Sequence, residues 1–109
     1  MADTIDYYEK RRQEFQAKLE SILGSRNVYF QPPSNIKMKY PAIVYTRLSL
    51  DPIRADDGVH KMSTEYEVVL IDSSPNSPVI YKLARLPHSR HSRHFKEDNL
   101  NHDSFYIYY

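Results

Sequence analysis

The chain has no cysteine, no tryptophan and only two glycines, Gly24 and Gly58. The missing cysteine excludes disulfides and thiolate metal sites. So few glycines argue against a phosphate-cradling loop, which needs backbone free of side chains. Long apolar runs are missing as well; none approaches the roughly 20 residues of a membrane span. A surplus of one charge is also lacking. Fifteen Lys and Arg face fourteen Asp and Glu, a formal net charge of +1. That balance argues against a generic polyanion binder, which depends on many phosphate-neutralising cations. The first residues, MADTIDYYEKRRQ, are too polar for a secretory signal, so a cytosol is the expected setting.

What is present is tyrosine, ten times in 109 residues. Each ring offers apolar area and a hydroxyl, which suits protein contact surfaces, but tyrosine is also a good strand former. The length predicts a single domain. A chain this size buries only about two-thirds of its unfolded surface, so its core is modest and assembly would add burial.

Periodicity predicts a helix over 4–23, capped by Asp3 or Thr4. Ile5, Tyr8, Phe15, Leu19 and Ile22 share one face, and Arg12 interrupts it with a stem able to lie along it. Gly24 follows as the residue past the helix end. NVYFQ (27–31) is a short strand stopped by Pro32 and Pro33. A loop over 34–40 leads through Pro41 into a strand over 42–50. Its expected core face is Val44, Thr46, Leu48 and Leu50, against Ile43, Tyr45, Arg47 and Ser49 outside. A polar connection over 51–62, with a turn at Asp57-Gly58, joins it to a strand over 63–72. Together they read as an extended hairpin projecting from the body. SSPNS precedes a short helix opened by Pro78 and ended by Pro87. Residues 88–98 are a polar strand or edge segment, and 100–109 a last strand with Phe105, Ile107 and Tyr109 on one face. The order is α-β-β-β-α-β-β, an α+β two-layer fold with a mostly antiparallel sheet.

The most metal-like cluster is His88, His91 and His94, with His102 downstream. In a regular strand His91 faces away from the other two, so the spacing does not make one site. Arg85, Arg90, Arg93 and Lys96 stand among these histidines with Phe95. A solvated edge strand guarded by charge is the favoured reading. A nucleic-acid surface or a contact for an acidic protein are its alternatives. Asp56 and Asp57 beside the glycine turn, and Glu65 and Glu67 on one strand face, lack the further ligands that magnesium or acid–base chemistry requires. No Gly-x-Ser-x-Gly elbow is present. The expectation is a protein that is not an enzyme, with no cofactor and no metal.

Four stretches carry a family likeness: ILGSRNVYFQPP, KMKYPAIVY, YEVVLIDSSPNSPVIYKLARLP and DNLNHDSFYIYY. They include Pro75-Asn76-Ser77-Pro78 before the short helix and Asn99-Leu100-Asn101-His102 before the last strand. In these the chain resembles the tail terminator (tail completion, tail-to-head joining) proteins of long-tailed bacteriophages. The resemblance implies a virion protein at the neck, assembled in the host cytoplasm. It implies a ring, usually a hexamer, that caps the tail tube, stops tube polymerisation and meets the head-completion complex. Nucleic acid would only pass through the lumen. On this reading the 47–65 hairpin and the basic 88–96 segment are contact surfaces, with Arg47, Arg54, Asp56, Asp57, Arg90 and Arg93 as charged contacts. A head-completion or neck adaptor, and a small nucleic-acid-binding module, are the alternative functions.

Overall fold

The computed structural model describes the backbone of residues 2–55 and 58–109, and side chains for 6–50 and 64–109. The elements are α1 (Ala2–Leu23), β1 (Val28–Phe30), β2 (Ala42–Ala55), β3 (Gly58–Asp72), α2 (Pro78–Ala84), β4 (Ser89–Glu97) and β5 (Leu100–Tyr108). The strands form one sheet in the order β1-β2-β3-β5-β4. Every neighbouring pair is antiparallel except β1 with β2. The fold is therefore α+β, as the element order predicts. The parallel exception has a simple cause: residues 31–41 are long enough to carry the chain back beside its own start. Two of the prolines in that segment, Pro32 and Pro41, bracket it, and the Tyr40–Pro41 bond is cis.

Local chemistry sets the boundaries. Gly24 has φ +84 and its N–H donates to the Glu20 carbonyl, closing α1. Ser77 caps α2 by accepting from the Val79 N–H, and Pro78 fills the first turn. β4 and β5 are joined by Asp98 and Asn99, with φ 53 and 63. Two successive positive φ values make a tight hairpin turn whose twist matches the strands, and Asp and Asn tolerate them best.

Both helices cover one face of the sheet. The core joins Phe15 and Leu19 of α1 and Val79 and Leu83 of α2 to Val28, Ile43, Tyr45, Tyr66, Val68, Leu70, Phe105 and Ile107. The cross-strand register puts these strand residues in three rows, with Tyr45, Val68 and Phe105 beside Phe30 in one, Val28, Ile43 and Leu70 in the second and Tyr66 and Ile107 in the third. Phe15 sits at the centre, 4.9 Å from the ring centres of both Tyr66 and Tyr109 and 5.6 Å from that of Tyr45.

One expectation is overturned. The core face of β2 is Ile43 and Tyr45, not Val44, Thr46, Leu48 and Leu50; Leu48 and Leu50 are 46% and 50% exposed. The register shifts between Arg47 and Ser49, so Leu48 is an extra residue in the ladder. Before this bulge odd-numbered residues face the helices; after it even-numbered ones do. An alternation counted straight through it joins two unrelated faces.

Arg12 also does more than lie along the helix stripe. Its Nε donates to Glu9 Oε1 at 2.6 Å, its Nη1 donates to the Tyr45 hydroxyl at 3.1 Å, and its guanidinium lies 4.7 Å over the Phe30 ring. The Tyr45 hydroxyl in turn donates to Gln16 Oε1. This chain of polar groups seals the end of the core beside β1. It also holds Glu9 below the usual carboxylate range, chiefly through the Arg12 hydrogen bond.

Burial pushes the phenols of Tyr45 and Tyr66 above their ordinary values, partly offset at Tyr45 by the Arg12 hydrogen bond. The folded state thus keeps these protons more tightly than the unfolded chain. The stability that goes with the neutral phenols is complete below about pH 10, the unfolded value, and declines as pH rises through the raised folded values. Urea unfolding followed at a series of alkaline pH values should therefore show midpoints falling above about pH 10. Tyr45→Phe should fall less steeply than the parent, because one of the two ionising groups is gone. Parallel curves for parent and variant would remove Tyr45 from this account.

Candidate interaction surface

The hairpin of β2 and β3 continues past the body. β5 pairs with β3 from Glu65 to Asp72, and Tyr109 just past β5 extends this to Thr64 by two backbone hydrogen bonds of 3.0 Å, while β2 and β3 stay paired out to Ala55 opposite Gly58. Among the described residues no third strand flanks this outer part, so it is a two-stranded arm. The molecule measures 49 Å along its long axis and 27 and 21 Å in the other directions. The expected projecting hairpin is present, but its polar stretch is ladder rather than loop. Leu48 and Leu50 lie exposed at its root. The tyrosines divide: Tyr45 and Tyr66 enter the core, whereas Tyr7, Tyr40 and Tyr81 are exposed.

A second surface is the sheet face away from the helices. The register places Val44, Val69, Ser104 and Arg93 in one row across it, and Thr46, Glu67, Tyr106 and Arg90 in the next. No described helix covers these rows. At the β4 edge the arginines lie on rings. Arg90 sits 4.9 Å over Tyr106, and Arg93 sits 4.6 Å over Phe95. Phe95 also stacks on His102, ring centres 4.6 Å apart and 13° from parallel. β4 is an edge strand, as its charge suggests.

The histidines behave differently from a regular strand. The register shifts between His91 and Arg93, which turns His91 and His94 to the same, helix-side face. Both then reach one oxygen of buried Asp103: His91 Nε2 at 3.1 Å and His94 Nδ1 at 2.9 Å from Oδ1. Each imidazole can donate an N–H there, so the buried carboxylate is held by two hydrogen bonds. The expectation that His91 points away from His94 is thus corrected, and the cause is again a bulge. His88 stands apart in the turn before β4, with φ 59. Among the described residues no group of three or more His, Asp or Glu is placed to hold a metal ion.

The six charged residues expected at contacts do not form one patch. Arg90 and Arg93 share the open face at the β4 edge. Arg47 lies across the sheet on the helix side, exposed, beside a shallow depression lined by Glu9, Arg12, Leu50 and Tyr66. Arg54 belongs to β2 opposite Val59, and its side chain lies outside the described residues. Asp56 and Asp57 lie outside the described residues altogether. Sequence reasoning missed Tyr106 and Asp103, the partners that organise Arg90 and the two histidines. Only the cross-strand register reveals them, since nothing local in the sequence pairs positions so far apart.

No family model matches this chain, and neither a curated protein nor a solved structure does. No described helix is long and apolar enough to cross a membrane.

Proposed function

We propose that this chain is a structural virion protein of a long-tailed bacteriophage, forming a ring that caps the tail tube and joins the tail to the head-completion complex. The observation that carries the reading is the arm. A pair of strands that leaves the body with unflanked edges, with two exposed leucines at its root, suits a contact made with a neighbouring copy. A two-layer body with a modest core gains from such burial. A head-to-tail contact repeated around an axis closes a ring when the rotation per subunit divides the circle. The mechanism is geometric: one rim offers the tube a matching surface, and the other lacks the surface for further addition. The likeness of the four sequence stretches supplies the biological setting, and no chemistry is required of the chain.

The test is mass and shape. Native mass spectrometry and negative-stain images at micromolar protein should give a discrete closed ring, expected to be a hexamer. Added to polymerising tube protein, the ring should shorten tubes and sit at one end only. A stable monomer across that range, or a ring that binds portal-side proteins and ignores the tube, overturns the proposal; the second result would favour a neck adaptor.

A further inference from the structure

We infer that the open sheet face at its β4 edge is a contact site for the phosphate backbone of double-stranded nucleic acid, made by Arg90 and Arg93 on their aromatic supports. This goes beyond the ring reading and does not need it. The first ground is a contrast among the arginines. On α1, Arg11 and Arg12 each hold a carboxylate, Glu14 at 2.7 Å and Glu9 at 2.6 Å. Arg90 and Arg93 are exposed and have no carboxylate partner among the described residues. Their guanidinium groups lie on Tyr106 and Phe95 instead. Three acids share this face: Glu65 and Glu67, two strands away, accept hydrogen bonds from Ser49 Oγ at 3.4 Å and Ser104 Oγ at 3.0 Å, and Glu97 lies four residues past Arg93 on β4.

The second ground is pre-ordering. A guanidinium lying on a ring keeps its N–H edge free, and less side-chain freedom is left to lose on binding. The Phe95–His102 stack fixes one of the two supports. Planar, charged and outward-facing donors suit phosphate oxygens.

The third ground separates phosphate from an acidic peptide. A peptide gains most of its hold on a sheet edge through a continuous backbone ladder. The register shift between His91 and Arg93 breaks that ladder in the middle of β4. A phosphodiester strand asks for charge at intervals and no ladder. The chain's net charge of +1 gives little long-range attraction, so the contact should be weak, local and salt-sensitive. Two phosphates neutralised correspond to a log–log salt slope of about −1.8.

The experiment is fluorescence anisotropy with a labelled random-sequence DNA duplex, beginning at low salt where this contact is strongest. The parent protein should bind with Kd on the order of 10⁻⁵ M and weaken on salt addition with a slope near −1.8. Arg90→Gln/Arg93→Gln should lose at least tenfold in affinity and most of the slope. Both side chains are exposed, so circular dichroism should show the variant folded. Arg26→Gln/Lys37→Gln, the same charge change at exposed positions outside this face, should stay within twofold of the parent. No duplex binding at low salt overturns the inference. So does equal loss in the two double variants, which would mean unspecific charge. So does poly-glutamate displacing the duplex at equal charge concentration, which would mean an acidic-protein surface. Native mass in the same buffer scores the ring separately. A ring without duplex binding refutes this inference alone, and a monomer that binds duplex refutes the ring alone.

Discussion

Phe15→Ala should lower stability by about 3–5 kcal/mol, the range for removing a fully buried aromatic side chain. Against a typical total of about 5–15 kcal/mol, that leaves a domain near the edge of folding. The reason is the position of Phe15. Its side chain has no solvent exposure and bridges the helix layer to three tyrosines from β2, β3 and the end of β5. Truncation leaves a cavity ringed by bulky side chains anchored on different strands, which cannot all move inward together. Two stacked and one edge-on ring contact go with it, each worth about 0.5–1.5 kcal/mol beyond area burial. Phe15→Leu keeps most of the volume and should recover more than half of the loss. Urea denaturation followed by circular dichroism, at one fixed protein concentration because assembly would add apparent stability, measures both variants. A loss below about 1 kcal/mol for the alanine variant would mean that α1 does not pack on the sheet as described.

The largest effect expected on assembly comes from removing the arm. Leu50 and Thr64 face each other across the β2–β3 ladder, so an Asn-Gly turn can replace residues 51–63 and close the shortened hairpin. The described core draws on residues outside that span, so the body should keep its cooperative melt, with Tm within about 5 °C of the parent. The ring should be lost entirely, leaving a monomer in native mass spectra. A milder variant, Leu48→Ser/Leu50→Ser, touches only exposed side chains and should weaken the ring without altering the monomer. A ring that survives the deletion would show that neighbouring copies meet elsewhere.

Most of the architecture can be read from residue order. The α1 stripe of Phe15, Leu19 and Ile22, the stop at Gly24, Pro78 at the start of α2 and the alternation Tyr66, Val68, Leu70 are local signals that stand in their elements, although α1 begins at Ala2, ahead of the expected cap at Asp3 or Thr4. The two misread faces share one physical cause. Leu48 and the step after His91 are bulges, and a bulge reverses which parity of residue looks inward. Nothing in the composition around either position announces it. The surface was less legible than the fold. Arg90 and Arg93 are conspicuous in the sequence, but their pairing with Tyr106 and Phe95 depends on register. Asp103, buried at 4% exposure, is one more acid in a polar stretch until the turn at Asp98-Asn99 brings it opposite His94.

The bulge in β4 also bears on which length changes this chain can survive. β4 carries two opposed sets of side chains: His91 and His94 inward on Asp103, Arg90 and Arg93 outward on rings. Deleting Ser92 would restore a regular ladder and leave everything after it on its present face, because Ser92 is the extra residue. Inserting a residue between Arg93 and His94 would instead turn His94 to solvent, and Asp103 would lose a donor. Within β4 the loss of one residue is therefore absorbed only at the bulge, whereas the arm, paired only with itself among the described residues, can change length two residues at a time. Lineages descended from such a chain should differ in how far the arm reaches, and within β4 should lose a residue only at Ser92.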